Sequence, residues 1–465
     1  MKKWMLLLAM PLSACATVGP NYVAPAPAEL EVPASYHGDS ADPQAPEALV
    51  RWWERFGDPI LDRLVARGIS DNLDLAIATA RLRQAREALV QARAGRTPSV
   101  VASGGAGQSL DTDGDRGTNL SLGVDAAWEA DLFGGVTRSV EAARADEQSV
   151  AFDLASVQVA IVAEIATNYI DARLAQQRLQ IARDTLAIAD DNLEIAGWRV
   201  QAGLVSSLDA EQARAARAQT AASIPTLEAA FASATYRLSV LTGDAPGALT
   251  TALMQPQPIP TPPQDIAVGI PADTLRQRPD VRSAERRLAA ATARIGVAQA
   301  ALLPELRLSG NIGTSALGLG TLFDAVTGNI FAGLSQVLFD GGRLRSQVRS
   351  QQAATEAALA TYRQAVLTSL EDVENGLVTL QAARERQGQF AIALDAANNS
   401  AILARSQYRA GLSDFQILLE AERTLLSARE GLMASMADQA FGTVQLYRAL
   451  GGGWAPYDPS SGTAT

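Results

Sequence analysis

A chain of 465 residues, 48% hydrophobic but only 5% aromatic, has room for two or three ordinary domains or one elongated one, and its alanine-rich character suits long, closely packed helices. Of its 39 basic residues only Lys2 and Lys3 are lysines, and the formal charge of -11 argues against nucleic acid as a partner. A single cysteine, Cys15, and a single histidine, His37, exclude a disulfide framework, a thiolate metal site and the histidine-based catalytic constellations, so the chain does not read as an enzyme.

Residues 1–14 read as a signal peptide. Lys2 and Lys3 form a positive start, and Trp4 to Pro11 form an apolar stretch too short to span a bilayer. Leu12-Ser13-Ala14-Cys15 follows, in the pattern of the bacterial lipobox. Cys15 is therefore the expected lipid attachment, carrying a diacylglycerol and an N-acyl chain; no other cofactor and no metal are expected. No other run reaches 18 apolar residues, so no transmembrane helix is expected, and a chain that spans a membrane without one must use a closed β-barrel.

Residues 15–50, rich in proline and alanine, read as a lipidated N-terminal strap. Residues 51–243 and 267–451 repeat one another across a Pro-rich linker at 244–266. Thr97-Pro98 answers Leu303-Pro304, Leu132-Phe133-Gly134-Gly135 answers Leu338-Phe339-Asp340-Gly341-Gly342, and Asn168 answers Asn375. Gln201-Ala202-Gly203-Leu204 then answers Arg409-Ala410-Gly411-Leu412, and Leu241-Thr242-Gly243 answers Ala449-Leu450-Gly451. The steady offset predicts an internal duplication. Residues 452–465 read as a flexible tail.

Each half predicts a helix (72–96 and 280–302), two strands, a long helix, a glycine turn and another long helix. The runs 136–200 and 343–409 lack proline and carry apolar residues at helical spacing, as in Val150, Leu154, Val157, Ile161 and Ile165, or Tyr362, Val366, Leu370, Val373, Leu377 and Leu380. At about 1.5 Å per residue each would reach roughly 100 Å, a length that implies coiled-coil packing. In the strands Leu120, Leu122, Val124 and Ala126 alternate with Ser121 and Asp125, while Leu306, Leu308 and Ile312 alternate with Glu305, Arg307, Ser309 and Asn311. Such alternation fits a lipid-facing barrel wall. Four strands cannot close a barrel, so other copies must pair the open edges.

Three weaker patterns carry less. Asp111-Thr112-Asp113-Gly114-Asp115 has calcium-loop spacing but places Arg116 and Leu122 where an EF-hand needs glycine and an acid, so it reads as a surface loop. Gly310 to Gly320 is glycine-rich but opens no helix and reads as a loop between strands rather than a phosphate cradle. Trp128 and Phe133 read as aromatics of the membrane interface or of the junction.

Several motifs together resemble the TolC-like outer membrane factors, in the lipoprotein branch that serves tripartite efflux. They are Val18-Gly19-Pro20-Asn21-Tyr22, Trp52-Trp53 with Phe56-Gly57-Asp58-Pro59, Asn72-Leu73-Asp74-Leu75, and Arg278-Pro279-Asp280-Val281 with Ala284-Glu285, Ile295-Gly296 and Leu303-Pro304. The resemblance covers essentially the whole mature chain. It implies a mainly α fold with a small β part, in which a homotrimer shares a twelve-stranded transmembrane β-barrel continued by a periplasmic α-helical barrel of coiled coils.

The function it implies is a passive outer-membrane duct for drugs or other small solutes, served by a periplasmic adaptor and an inner-membrane pump of the resistance-nodulation-division type. The alternatives are the exit duct of a type I protein-secretion system and a non-conducting structural envelope lipoprotein. Ala16 after the cysteine implies sorting to the outer membrane. The resemblance places a periplasmic gate at Tyr408, Asp209, Glu420 and Asp414, and adaptor contacts at the turns Gly203-Leu204 and Gly411-Leu412. Three copies of Glu420 imply a cation-selective ring. Ser413 stands where some relatives carry an arginine latch.

Overall fold

The computed structural model describes residues 17–36, 49–110, 116–266, 268–269 and 271–455. The signal peptide, Cys15, His37, the acidic Asp111–Asp115 loop and the last ten residues lie outside the described residues.

The first half contains α1 (Pro59–Asp71), α2 (Leu73–Ala94), β1 (Ser99–Leu110), β2 (Arg116–Ala130), α3 (Gly135–Gln201) and α4 (Ser207–Leu241). The short α5 (Thr250–Leu253) sits in the linker. The second half contains α6 (Pro271–Gln277), α7 (Pro279–Ala300), β3 (Glu305–Ala316), β4 (Val326–Ser335), α8 (Arg343–Arg409) and α9 (Phe415–Ala449). The lengths match: α2 and α7 have 22 residues each, α3 and α8 have 67, and α4 and α9 have 35.

The motifs start these helices. Asp58 caps α1 by accepting from the backbone N–H of Ile60 (2.8 Å) and Leu61 (3.3 Å), and Pro59 fills the first helical position, where its missing N–H costs nothing. Asn72 does the same for α2, accepting from Asp74 (2.8 Å) and Leu75 (3.2 Å) while its amide donates to Leu241 O (2.9 Å).

The chain divides into two compact units, each drawing on both halves. The first comprises the described residues up to Leu30, with Ala80–Asp153 and Asp280–Ala365. It holds one antiparallel sheet in the order β1-β2-β3-β4. Its register pairs Val124 with Ile312, Trp128 with Leu308 and Ala130 with Leu306, and then Leu306 with Leu334 and Gly310 with Ile330. The apolar alternation of β2 and β3, with Ile330 and Leu334 of β4, therefore falls on one face, while Phe331 pairs with Ser309 on the other. Asp125 opposite Asn311 and Glu129 opposite Arg307 share the other. β1 and β4 are open edges.

The same unit seats the start of the strap. The Arg138 guanidinium is buried and donates from Nε to Val18 O (3.0 Å) and from one terminal nitrogen to Gly19 O (3.1 Å) and Asn21 Oδ1 (2.7 Å), while Glu141 balances its charge at 2.7 Å. Val18 N donates to Phe133 O at 3.1 Å. Gly296 leaves the slot open, since a Cβ there would sit 2.7 Å from Arg138 Cγ and 2.8 Å from Val18 O. Tyr22 closes it by donating to Glu285 at 3.1 Å. Trp128 donates from its indole to Arg96 O at 3.0 Å, a bond that ties β2 to the end of α2.

The second unit comprises Glu31–Thr79, Leu154–Pro279 and the described residues from Val366 onward. Its main core gathers Trp52, Trp53, Phe56, Leu61 and Val65 with Ile161, Val162, Ile165, Tyr169 and Ile170 of α3 and Val444, Leu446 and Tyr447 of α9. Trp52 stacks on Tyr447 with ring centroids 5.2 Å apart. One stretch of α3 is, by length and composition, apolar enough to cross a membrane, contrary to the expectation from the sequence. Its Ile161, Val162, Ile165 and Ile170 are buried in this core, so its apolarity serves packing.

A second difference concerns the tail. Residues 452–454 are packed: Trp454 is buried and donates to Gln277 O at 3.1 Å, and Gly453 N donates to Leu49 O at 2.9 Å. An indole that finds a carbonyl partner can be buried at little polar cost.

Candidate functional site

The two helical hairpins of the second unit end in matched turns. At the first, Gly203 takes φ +69° and the N–H of Leu204 bonds back to Arg199 O at 2.9 Å. At the second, Gly411 takes φ +73° and Leu412 N bonds to Gln407 O at 2.8 Å. Both close their helix with a left-handed residue that satisfies the last carbonyls, a conformation glycine adopts without a Cβ clash. Leu204 and Leu412, immediately beyond, are exposed.

Ion pairs align each hairpin. Asp190 pairs with Arg217 (2.7 Å) and Arg183 with Glu228 (3.0 Å) across α3 and α4; Arg386 pairs with Asp438 (2.9 Å) across α8 and α9. Nearer the tip, Arg405 grips Glu422 through both carboxylate oxygens, and this pair is the least exposed of the four. Its geometry is bidentate, the strong form of the arginine–carboxylate contact. Between the hairpins a small core of Ala196, Ala213, Ala397, Ala401 and Ala404 surrounds Tyr408, Phe415, Leu418 and Leu425. Alanines at these positions let the helices approach closely. A groove of about 230 Å³ opens beside it, lined among others by Ala189, Ala213, Ala216, Phe415 and Glu422.

Tyr408 is the centre of the site. It is 1% exposed, lies 5.5 Å from the Phe415 ring, and its hydroxyl is buried without a hydrogen-bond partner. The Arg199 guanidinium sits over its ring at 4.5 Å from the centroid and donates to the Tyr408 carbonyl at 2.9 Å. Arg199 belongs to the last turn of α3 and Tyr408 to the last turn of α8, so this one side chain ties the two tips together. Burial raises the Tyr408 hydroxyl above its ordinary pKa, the nearby Arg199 charge opposes that rise, and Asp209 adds to it.

The other residues singled out in the sequence are placed as follows. Asp209 lies in the first turn of α4, half-buried, and is close enough for its charge to act on Tyr408. Asp414 caps α9 by position, but its exposed side chain makes no capping hydrogen bond. Glu420 is exposed on α9 and forms no ion pair among the described residues. The Ser413 hydroxyl is buried without a partner.

Arg199, Arg405 and Glu422 were not singled out from the sequence. No local spacing marks them: Arg199 meets Tyr408 from the other repeat, and Arg405 meets Glu422 only across the second turn.

Comparison with known proteins gives a single family. The model of the family described as "Outer membrane efflux protein" matches residues 64–244 and 270–452. Nodulation protein T of Rhizobium leguminosarum bv. trifolii is 33% identical over 463 residues, covering 96% of this chain and 96% of that protein. The pyoverdine export outer membrane protein OpmQ of Pseudomonas aeruginosa is 30% identical over 457 residues, covering 95% and 96%. Among solved structures, the outer-membrane channel OprN superposes with a TM-score of 0.86 at 36% identity, covering 94% of this chain and all of that one.

Proposed function

Since the chain belongs to the outer membrane efflux protein family, it is an outer-membrane channel component of a tripartite efflux system and not an enzyme, and we propose that its hairpin tips are the gate of that channel. The channel is a trimer in which three four-stranded sheets form the barrel, a large helical part extends into the periplasm, and an adaptor and an inner-membrane pump complete the path. The family implies no cofactor.

The observation that carries the gate reading is the bond of Arg199 to Tyr408. It joins the last turns of two long helices, beside turns whose Leu204 and Leu412 are exposed. Opening requires the tips to part, and a cation held over an aromatic ring and on a carbonyl opposes that movement with a modest, breakable energy. Asp209 and Asp414 place negative charge beside this tie. Glu420, facing its two copies around the threefold axis, forms the acidic ring that selects cations. The exposed Leu204 and Leu412 and the groove beside Phe415 receive the adaptor.

Cys15 carries the lipid. Thr17, the first described residue after it, packs against Gly134 in the connection between β2 and α3. The cargo is a small solute, delivered by a pump of the resistance-nodulation-division type.

Single-channel recording tests the gate. The Glu420→Ala channel is expected to lose cation preference while keeping its trimeric state; unchanged selectivity would remove Glu420 from the ring. Mass measurement of the mature protein and of Cys15→Ser tests the anchor, which requires the mass of the acyl chains in the first and its absence from the second.

A further inference from the structure

The two loops at the end of the sheet away from the helices differ in chemistry. The β1–β2 connection reads Asp111-Thr112-Asp113-Gly114-Asp115 in the sequence, as expected for a segment facing water. The β3–β4 connection reads Leu317-Gly318-Leu319-Gly320-Thr321-Leu322-Phe323-Asp324-Ala325 and has a single charge. Leu317, Leu319 and Phe323 are 79%, 82% and 73% exposed. A cluster of large exposed apolar side chains marks a surface that meets something other than water.

The direction in which this loop turns is recorded by one bond. Thr314 pairs with Leu122 and with Val326, so it belongs to the face of the sheet that carries Leu308, Ile312, Ile330 and Leu334. Its hydroxyl donates to the carbonyl of Leu322. The loop, with a 3-10 turn at Leu319–Thr321, is thereby bonded onto the apolar, lipid-side face and not onto the face of Asp125 and Asn311.

We propose that the β3–β4 loop is a membrane-embedded flap: it lies against the outer leaflet and presents Leu317, Leu319 and Phe323 to lipid acyl chains, extending the lipid-contacting wall beyond the ends of the strands. The lipid occupant follows from continuity. The apolar face below the loop is the one a barrel turns to lipid, and the Thr314 bond keeps the loop on that side.

The proposal rests on the barrel reading, so its test carries a control for that reading. Nitroxide labels are placed at Phe323→Cys and, separately, at Leu319→Cys and Ile330→Cys, with the unsubstituted trimer taken through the same labelling, all in lipid vesicles. Collision with oxygen, which concentrates in lipid, is compared with collision with a water-soluble nickel chelate. Ile330 is 94% exposed on the lipid face of β4 and must report lipid; a watery signal there would sink the barrel assignment instead.

With that control in place, the ratio of oxygen to nickel collisions at 323 and 319 is expected to match that at 330 within about twofold, because the bilayer interior is dry. A ratio about tenfold lower would put the loop in water or in the pore. Protection from both reagents would put it under a neighbouring copy. Either result overturns the proposal.

Discussion

Arg199 and Tyr408, 209 positions apart in the chain, are joined twice: the guanidinium lies 4.5 Å from the ring centroid and donates to the tyrosine's own carbonyl at 2.9 Å. Removing Arg199 takes away a cation–π contact and a charge-assisted hydrogen bond, together about 2 kcal/mol, or roughly thirtyfold in the balance of closed and open tips. Arg199→Ala is expected to raise open probability in planar bilayers by about that factor, and Arg199→Lys by less, because it keeps the charge and loses the planar stack. Open probability unchanged in both would remove Arg199 from the gate.

The strap slot gives a second prediction. Gly296→Val is expected to expel residues 17–22, since its side chain would occupy the space of Arg138 Cγ and Val18 O. Arg138→Ala loses three bonds to the strap, about 3 kcal/mol in all. Hydrogen exchange at the amide of Val18, which is bonded to Phe133 O, should accelerate in both variants while amides of α9 stay protected.

Arg173 holds the linker. It is 1% exposed and donates to Tyr169 Oη (3.1 Å), Gln176 Oε1 (2.6 Å), Leu253 O (3.3 Å) and Gln255 O (3.1 Å). Arg173→Ala should cost about 3 kcal/mol or more through the cavity and the orphaned carbonyl. Arg173→Met, which refills the space, should cost less. Thermal melting and the rate of proteolysis at residues 254–258 report both. Equal losses would mean that volume is not what matters there.

Asp62 gives a pH dependence. Its Oδ1 is buried without a partner, and burial, aided by the charges of Glu54 and Asp58, holds its pKa above the ordinary carboxylate value. In that range the folded chain keeps a proton that the unfolded chain has released, so this group's contribution to stability falls as pH rises from about 4 through the folded value. Asp62→Asn should therefore raise the melting temperature at pH 7, and the gain should vanish near about pH 3, where both side chains are neutral. A gain that persists in acid would assign the effect to helix capping instead.

Much of this architecture is legible in the residues because it is repetitive or local. Uninterrupted helical spacing marked 136–200 and 343–409, within a residue or so of α3 and α8, and strict alternation around Val124 and Ile312 marked one lipid-facing side of the sheet. Asp58 and Asn72 act on backbone groups two or three residues away, so their motifs can be read directly.

The site was half legible. Tyr408 and the glycine turns stood out, but the partner of Tyr408 did not: Arg199 occupies the position that Gln407 holds in the other repeat, and Tyr408 the position of Val200. The duplication hides such a pair, because each partner is the odd residue of its own copy. Arg138 was missed for a related reason, since two of its partners are the backbone carbonyls of Val18 and Gly19, which no side-chain pattern announces.

The open edges of β1 and β4 bear on how the protein reaches the membrane. A lone sheet placed in hydrocarbon would leave two rows of peptide groups bare, at several kcal/mol for each one unsatisfied. A membrane-inserted single chain is therefore not a workable intermediate, and insertion must wait on the meeting of three copies. The appearance of barrels in empty vesicles should accordingly accelerate more steeply than in proportion to protein added, with a kinetic order above one.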